Sequence, residues 1–216
     1  MTVGGDHRAQ VLMSTVPPSA SSSGYKVMND EIEGNSLVRI GGGWGGFVAF
    51  EESSYAPAVG SFYRRNTYGL RGDGVMFRWT VDATGVWRDK VSYAGFGAVK
   101  SMALISKTRT YDTFLANTRG GALYTIHIPT TSPMKPVAKL VRRSTWQGFE
   151  ALIAQKCGLY GTLLVGIDKD TEAGYLCAVG HANGTATVIQ AAASPCHLQR
   201  PGLFRWTTRD DQLFGE

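Results

Sequence analysis

The chain has 216 residues and a formal net charge of +5, and 43 % of its residues are hydrophobic. This length fits one globular domain or one small repeat array, and the apolar content suffices for a packed core. The basic excess is small and no basic stripe alternates with aromatic residues, so we expect no nucleic-acid partner. No run reaches the length of a membrane span and no signal peptide is visible. We therefore expect a soluble protein without a membrane partner, either cytoplasmic or secreted with its leader removed.

The predicted elements begin with an incomplete repeat. Residues 9–41 contain three strand-like segments, A-Q-V-L-M-S-T, Y-K-V-M-N and S-L-V-R-I, separated by residues typical of turns. Residues 1–8 and 17–23 flank them, and the second of these stretches is P-P-S-A-S-S-S. We expect both stretches to be flexible, the second because small polar residues and proline dominate it.

Three complete copies follow, with a period of about 50 residues. Each contains a glycine preceding Phe: W-G-G-F at 44–47, Y-A-G-F at 93–96 and W-Q-G-F at 146–149. A degraded form of the same motif, R-P-G-L at 200–203, precedes the last stretch of the chain. We place the repeats at 46–92, 93–143 and 144–192, each with four short segments rich in Val, Leu, Ile, Phe and Tyr. The segment at 149–157, F-E-A-L-I-A-Q-K-C, also fits a short helix, but its place in the repeat predicts a strand.

The last stretch, residues 202–216, begins with one strand-like segment, G-L-F-R-W-T-T. Together with residues 9–41 it makes a fourth set of four strands. A repeat of this length with four strands is typical of a β-propeller, and closure of the ring hides the sheet edges. The sequence therefore predicts one all-β domain over 1–216. We expect a small β-propeller of four blades with four antiparallel strands each, closed by pairing of the N- and C-terminal segments in one blade.

The stretch L-V-R-I-G-G-G-W-G-G-F-V-A-F resembles the repeat of tachylectin-2-type propellers, and L-L-V-G-I-D-K-D-T-E-A-G-Y-L-C-A-V resembles the next part of that repeat. The looser FG-GAP repeats share the outline. Two differences stand out: the tachylectin-2 type has five blades, and the calcium loop of FG-GAP repeats is absent here. The resemblance implies binding of N-acetylated sugars between blades, at weak sites whose avidity comes from repetition.

The repeated turn aromatics are the first candidate site residues: Trp44, Tyr93 and Trp146, with Arg200 in the fourth position. A large ring in such a turn either packs between neighbouring sheets or offers a platform on which the apolar face of a sugar stacks. Polar residues just beyond the second strands would then bind the hydroxyl groups. The candidates are Asn66, Asn117 and Asp168.

Catalytic signatures are weak. His127 and His181 fall late in the third strands of adjacent repeats, and each is either a packing residue or a general base or metal ligand. No nucleophile motif and no metal-binding spacing accompanies them. Three cysteines argue against a disulfide framework, and Cys157 and Cys177 are either buried thiols or one bridge.

The sequence therefore favours a carbohydrate-binding, lectin-like propeller with no cofactor and no metal. A propeller enzyme of the cyclase or hydrolase type, with a pocket on one face or in the central channel, stays open as an alternative. A protein-interaction scaffold is the second alternative, and a homodimer is compatible with all three, because fold does not choose among functions.

Overall fold

A computed structural model describes the backbone of residues 7–15, 19–28, 31–41, 44–180, 184–192, 196–197 and 213–215. Side chains are described for residues 44–180, 184–192 and 213–215. Within these residues the regular structure is β-strand, apart from two three-residue 3-10 turns at Trp44–Gly46 and Gly184–Ala186. The predicted all-β class is confirmed. No helix in this part of the chain has the length and apolarity that crossing a bilayer requires.

The described strands form four antiparallel sheets. The N-terminal sheet contains β1 (His7–Thr15), β2 (Ser19–Met28) and β3 (Glu31–Gly41). Sheet 1 contains β4 (Phe47–Tyr55), β5 (Arg64–Arg71), β6 (Met76–Val81) and β7 (Trp87–Tyr93). Sheet 2 contains β8 (Val99–Lys107), β9 (Tyr111–Thr118), β10 (Leu123–Pro129) and β11 (Val137–Arg142). Sheet 3 contains β12 (Ala151–Cys157), β13 (Gly161–Asp168), β14 (Ala173–Val179) and β15 (Ile189–Ala191), and the two-residue β16 (Cys196–His197) also pairs with β14.

The predicted division of three copies into four strands each is confirmed by sheets 1 to 3, whose strands are neighbours in sequence order. The ambiguous segment at 149–157 forms β12, as its place in the repeat predicted. One predicted strand is displaced: S-F-Y-R-R lies mostly in the connection before β5, which starts only at Arg64. Residues 7–8 belong to β1 and residues 19–23 to β2. The expected flexibility of 1–8 and 17–23 stays a prediction. The predicted strand at 202–208 lies outside the described residues.

Sheets 1, 2 and 3 stack side by side, and their first strands β4, β8 and β12 are neighbours in space. Two hydrophobic cores fill the seams between them. The seam between sheets 1 and 2 contains Tyr68, Leu70, Met76, Phe96, Met102, Leu104 and Phe114 among its buried side chains. The seam between sheets 2 and 3 contains Ala103, Ile105, Leu115, Trp146, Leu152, Leu164 and Val179. Alternate side chains of the sheet 2 strands β8 and β9 thus pack against sheet 1 and sheet 3.

The turn that leads into sheet 2 and the turn that leads into sheet 3 each place one aromatic side chain in the seam with the preceding sheet. The backbone N–H of Phe96 donates to the carbonyl of Gly74 over 2.9 Å, and that of Trp146 donates to the carbonyl of Gly121 over 3.0 Å. Both residues are 7 % exposed. Phe96, rather than Tyr93, therefore occupies the position equivalent to Trp146. The predicted position of the turn aromatic in the second repeat was therefore wrong by three residues. Tyr93 and Phe96 are both aromatic, so the motif Y-A-G-F does not show which of them enters the seam.

The last described residues cover an edge of sheet 2. The N–H of Gly215 donates to the carbonyl of Ile105 over 3.1 Å, and the N–H of Lys107 donates to the carbonyl of Leu213 over 3.3 Å. Residues 213–215 thus pair antiparallel with the edge of β8 that faces away from β9. The side chain of Leu213 is buried in the seam between sheets 1 and 2. This pairing satisfies backbone groups that would otherwise be exposed at the edge of the sheet.

Glycines in the second strands of sheets 1 and 3 make room for aromatic rings. A Cβ on Gly69 would lie 2.8 Å from the ring of Phe47 and 2.9 Å from that of Phe50. A Cβ on Gly166 would lie 2.8 Å from the ring of Phe149. Each ring therefore lies directly on the backbone of the neighbouring strand, an arrangement that only glycine permits.

Replacing Gly69 with alanine forces these rings to move. We expect Gly69→Ala to lower the free energy of unfolding by about 1–3 kcal/mol, as overpacking of a core does. Gly97→Ala is the matched control, since a Cβ there meets no atom within 4 Å. The control should change stability by no more than about 0.5 kcal/mol. Equal urea midpoints for Gly69→Ala and the wild type would show that the rings do not rest on this glycine.

Candidate functional site

Six aromatic side chains gather on one face of sheet 1. Phe50 pairs with Gly69 and Gly69 with Phe77 across the sheet, while Thr67 pairs with Trp79. Directly paired residues of an antiparallel sheet point to the same face, so these side chains share one surface. The cluster, here called the aromatic face, consists of Trp44, Phe47, Phe50, Phe77, Trp79 and Trp87. It lies opposite the face on which Tyr68 and Leu70 pack against sheet 2.

Trp44 is the centre of the aromatic face. Its ring centroid lies 5.4 Å from that of Phe47, 5.5 Å from that of Trp79 and 5.3 Å from that of Trp87. The contacts with Phe47 and Trp79 are tilted and the contact with Trp87 is edge-on, geometries that aromatic pairs prefer. Trp44 stands three residues before Phe47, as Trp146 stands three residues before Phe149. It is thus the seam residue of sheet 1.

The seam residue of sheet 1 is more open than its two counterparts. Phe96 and Trp146 are buried between sheets, whereas Trp44 and the neighbouring Phe47 and Phe50 are only partly buried. The side chain of Trp146 therefore packs between sheets, which is one of the two roles predicted for the repeated aromatics. Tyr93 is 43 % exposed at the end of β7 and touches only the edge of Phe96 among the described rings.

The indole nitrogen of Trp44 is buried and has no hydrogen-bond partner in the described part of the chain. Leaving a buried donor unsatisfied costs about 1–3 kcal/mol. Such a group calls for an explanation, and a ligand acceptor at the turn is one that the chemistry allows.

Polar and charged groups surround the aromatic face. The guanidinium of Arg65 makes two 2.8 Å hydrogen bonds to the carboxylate of Glu52. Glu52 pairs with Thr67, in the same row as Trp79, so this ion pair lies beside the rings. On the other flank, the guanidinium carbon of Arg71 lies 5.0 Å from the centre of the Phe77 ring. The face thus combines apolar rings with hydrogen-bonding groups, as sugar-binding surfaces require.

The predicted polar site residues do not converge on the aromatic face. Asn117 is fully buried, and its Nδ2 donates to the carbonyls of Trp146 and Phe149 over 2.8 Å each. It therefore fixes the turn into sheet 3. Asn66 points toward sheet 2, where its amide, oriented to satisfy both ends, accepts from Arg64 over 3.1 Å.

Asp168 caps the turn that follows β13, beside the turn that carries Trp146: a Cβ on Gly148 would lie 3.5 Å from its Oδ2. Its Oδ1 accepts hydrogen bonds from the N–H groups of Asp170 over 2.9 Å and Thr171 over 3.2 Å. The pKa of Asp168 is lowered, chiefly because the N–H of Thr171 stabilises the charged form. This is the behaviour of a turn-forming aspartate. The structure therefore brings both Asn117 and Asp168 to the turn that carries Trp146, away from Trp44 and sheet 1.

Of the two histidines predicted as candidate catalytic residues, His127 lies within the described residues and is packed against its neighbours. The Nδ1 of His127 lies 3.2 Å from Thr113 Oγ1, and its ring centroid lies 4.0 Å from that of Tyr111. These contacts are those of a packed, hydrogen-bonded histidine. His181 lies outside the described residues.

The described part of the chain shows neither a metal-binding cluster nor an activated thiol. No cluster of three or more His, Cys, Asp or Glu side chains occurs there. Cys157 and Cys177 are both free thiols, which settles the alternative that the sequence left open. Burial raises the pKa of the Cys177 thiol, which makes it less reactive.

The most densely connected ionisable group is Asp112, whose side chain is 0 % exposed. Its Oδ1 accepts from Ser53 Oγ and Arg64 Nη2 at 2.6 Å each, and its Oδ2 accepts from Tyr68 Oη at 2.7 Å and Arg64 Nη1 at 2.9 Å. Arg64 also donates from Nε to the carbonyl of Thr108 over 2.9 Å. The network joins β4 and β5 to β9 and offers no exposed group to a ligand. It therefore ties sheet 1 to sheet 2.

Removing the charge of Asp112 leaves the guanidinium of Arg64 buried without its counter-ion. We expect Asp112→Asn to cost about 3–5 kcal/mol of unfolding free energy, the usual loss when one partner of a buried pair is removed. Asp73→Asn is the control, because the Arg71–Asp73 pair is exposed and should matter little. Chemical denaturation measures both, and equal effects of the two variants would contradict a structural role for Asp112.

The buried phenol of Tyr68 should make the free energy of unfolding depend on pH in the alkaline range. Burial, and next the Asp112 charge, raise the pKa of Tyr68 well above its ordinary value. The folded state holds the phenolic proton more tightly than the unfolded state, so stability is unchanged below the unfolded pKa and falls as pH rises above it. Urea unfolding between about pH 9 and pH 11 measures this dependence. The free energy of unfolding should decrease less steeply with pH for Tyr68→Phe than for the wild type. Identical slopes would show that Tyr68 does not contribute.

No protein-family model matches the chain, and no curated protein matches it. The resemblance to tachylectin-2-type and FG-GAP repeats therefore stays a prediction. Sequence reasoning found Trp44 but missed the other members of the aromatic face. Their signal was present in the spacing of Phe77 and Trp79, two residues apart on β6, opposite a strand glycine.

Proposed function

We propose that the protein is a four-bladed β-propeller that binds carbohydrate on the aromatic face of sheet 1. One observation carries this proposal: the seam aromatics Phe96 and Trp146 are buried between sheets, while Trp44 stays partly exposed within a cluster of six rings. A cluster of partly buried rings offers a ligand an apolar surface on which it can stack.

The chemistry of the aromatic face suits a pyranose. The C–H face of the sugar is apolar and stacks on an indole, whereas its hydroxyl groups need directional partners. The Glu52–Arg65 pair lies on the same face, and the unpaired Nε1 of Trp44 is a further donor. Because the other two seam positions are filled by packing, the proposal has one principal site rather than repeated equivalent sites.

The closed ring is supported by the surfaces at the two ends of the stack. Ile153 pairs with Val165 and Val165 with Leu176, so these apolar side chains share the face of sheet 3 that points away from sheet 2. They are not fully buried. A fourth sheet built from the N-terminal strands and the C-terminal segment would lie between this face and sheet 1. The aromatic face would then line the seam between the fourth sheet and sheet 1, and the sugar would bind at that seam. Closure would join sheets 3 and 1 without leaving an open stack.

A closed ring predicts the solution dimensions. A compact chain of this length has a radius of gyration of about 17 Å. We expect small-angle scattering of the monomer to give this value with a single compact profile. A clearly larger radius with an extended profile would show that the sheets form an open stack.

Trp44→Phe separates binding from stability. The phenyl ring keeps the packing but removes the unsatisfied indole donor, so the unfolding free energy should stay the same or rise. Saccharide affinity should fall about tenfold, as when one buried hydrogen bond is lost. Isothermal titration with the best ligand from a glycan array measures the affinity, and Tyr93→Phe is the control. If no glycan binds the wild type, the carbohydrate proposal fails.

A further inference from the structure

The exposed apolar side chains are not spread evenly over the molecule. In an antiparallel meander the connections between first and second strands and between third and fourth strands leave from the same end of the sheet. Of ten large hydrophobic side chains that are exposed in the described part of the chain, seven lie at these connections. They are Val59, Tyr63 and Val86 in sheet 1, Val137 in sheet 2, and Leu159, Tyr160 and Val188 in sheet 3. We call this set the tip surface.

The three sheets present these tips in a common direction. At the tip end, Arg64 of sheet 1 bonds to Thr108 before β9, and the Arg109 guanidinium lies 4.5 Å from the centre of the Phe62 ring. At the opposite end, Lys100 near the start of β8 bonds over 2.6 Å to Glu150, just before β12. The first strands therefore run in the same direction, and their hairpins project from the same side of the stack.

The charges on the tip surface are mainly positive. The described charged residues in its connections are Asp82, Arg109 and Lys135. Asp82 is paired with Arg88 over 2.7 Å, while Arg109 and Lys135 are exposed. The two most prominent tips, around Val59 and Leu159, contain no charged residue at all in residues 56–63 and 158–160.

The opposite end of the stack has different chemistry. Its connections between second and third strands are the charged turns R-G-D-G at 71–74, R-G-G at 119–121 and K-D-T-E at 169–172. The exposed large hydrophobic side chains there are Val48 and Tyr93, each at the end of a strand. The described part of the stack is therefore polarised, with apolar tips and cations on one side and mixed charges on the other.

We propose that the tip surface docks on the surface of a lipid bilayer that contains anionic lipid. Tips on separate hairpins are discontinuous, which suits insertion between headgroups better than the continuous fit that a protein partner needs. Tyr63 and Tyr160 have the amphipathic rings that favour the bilayer interface, and Arg109 and Lys135 complement anionic headgroups. The sequence predicted no membrane partner because no segment can span a bilayer, but docking on the surface needs no spanning segment. This inference is independent of carbohydrate binding.

Vesicle flotation of the full chain tests the proposal. We expect binding to vesicles of phosphatidylcholine with phosphatidylserine, weaker binding to phosphatidylcholine alone, and a decrease with added salt. The double variant Leu159→Asp, Tyr160→Asp should reduce the bound fraction at least about tenfold, because it places charge where apolar contact is expected. The matched control is Val48→Asp, Tyr93→Asp at the opposite end, which should bind like the wild type.

Both double variants change exposed side chains, so their thermal unfolding should match that of the wild type and show that loss of binding is not loss of fold. Absence of wild-type binding to anionic vesicles would overturn the proposal. So would an equal loss in the control variant. Self-association that disappears in the Leu159 and Tyr160 variant, without any vesicle binding, would show that the tips instead contact a second copy of the chain.

Discussion

The stack of sheets depends on one backbone contact that recurs at each described seam between four-stranded sheets. A glycine at the turn between the second and third strands accepts a hydrogen bond from the residue that leads into the next sheet. The glycines are Gly74 and Gly121, with φ angles of +86° and +90°. A side chain on Gly74 would collide with the backbone of Gly97. Glycine is thus required both for its conformation and for the close approach of the next chain segment.

From this contact the packing follows. The hydrogen bond places Phe96 and Trp146 in the two seams, where they complete hydrophobic cores made by alternate residues of the flanking strands. The buried Arg64–Asp112 pair adds a polar connection between sheets 1 and 2. Such a pair contributes less to net stability than to fixing one arrangement of the sheets, because the desolvation of both charges offsets most of their attraction.

Strand alternation and glycine turns made the three four-stranded sheets predictable, because both are local signals. The residue that enters the seam in the second repeat was not predictable. Tyr93 and Phe96 are both aromatic, and only the hydrogen bond from Phe96 to Gly74 distinguishes them. The network around Asp112 was also beyond sequence reasoning, because Arg64 and Asp112 are distant in sequence and meet through sheet stacking. The tryptophan turn of the aromatic face was recognised in the sequence. Its strand residues were not, because they depend on which face of sheet 1 packs against sheet 2.

We propose that Trp44 and Trp146, alike in sequence context, have different roles, because Trp146 is buried between sheets 2 and 3 whereas Trp44 is only partly buried. The indole N–H cross-peaks of ¹⁵N-labelled protein, assigned by single Trp→Phe variants, test it directly during titration with a bound saccharide. The account predicts that the Trp44 cross-peak shifts while the Trp146 cross-peak stays in place. Equal shifts of both cross-peaks, or a shift of Trp146 alone, would contradict it.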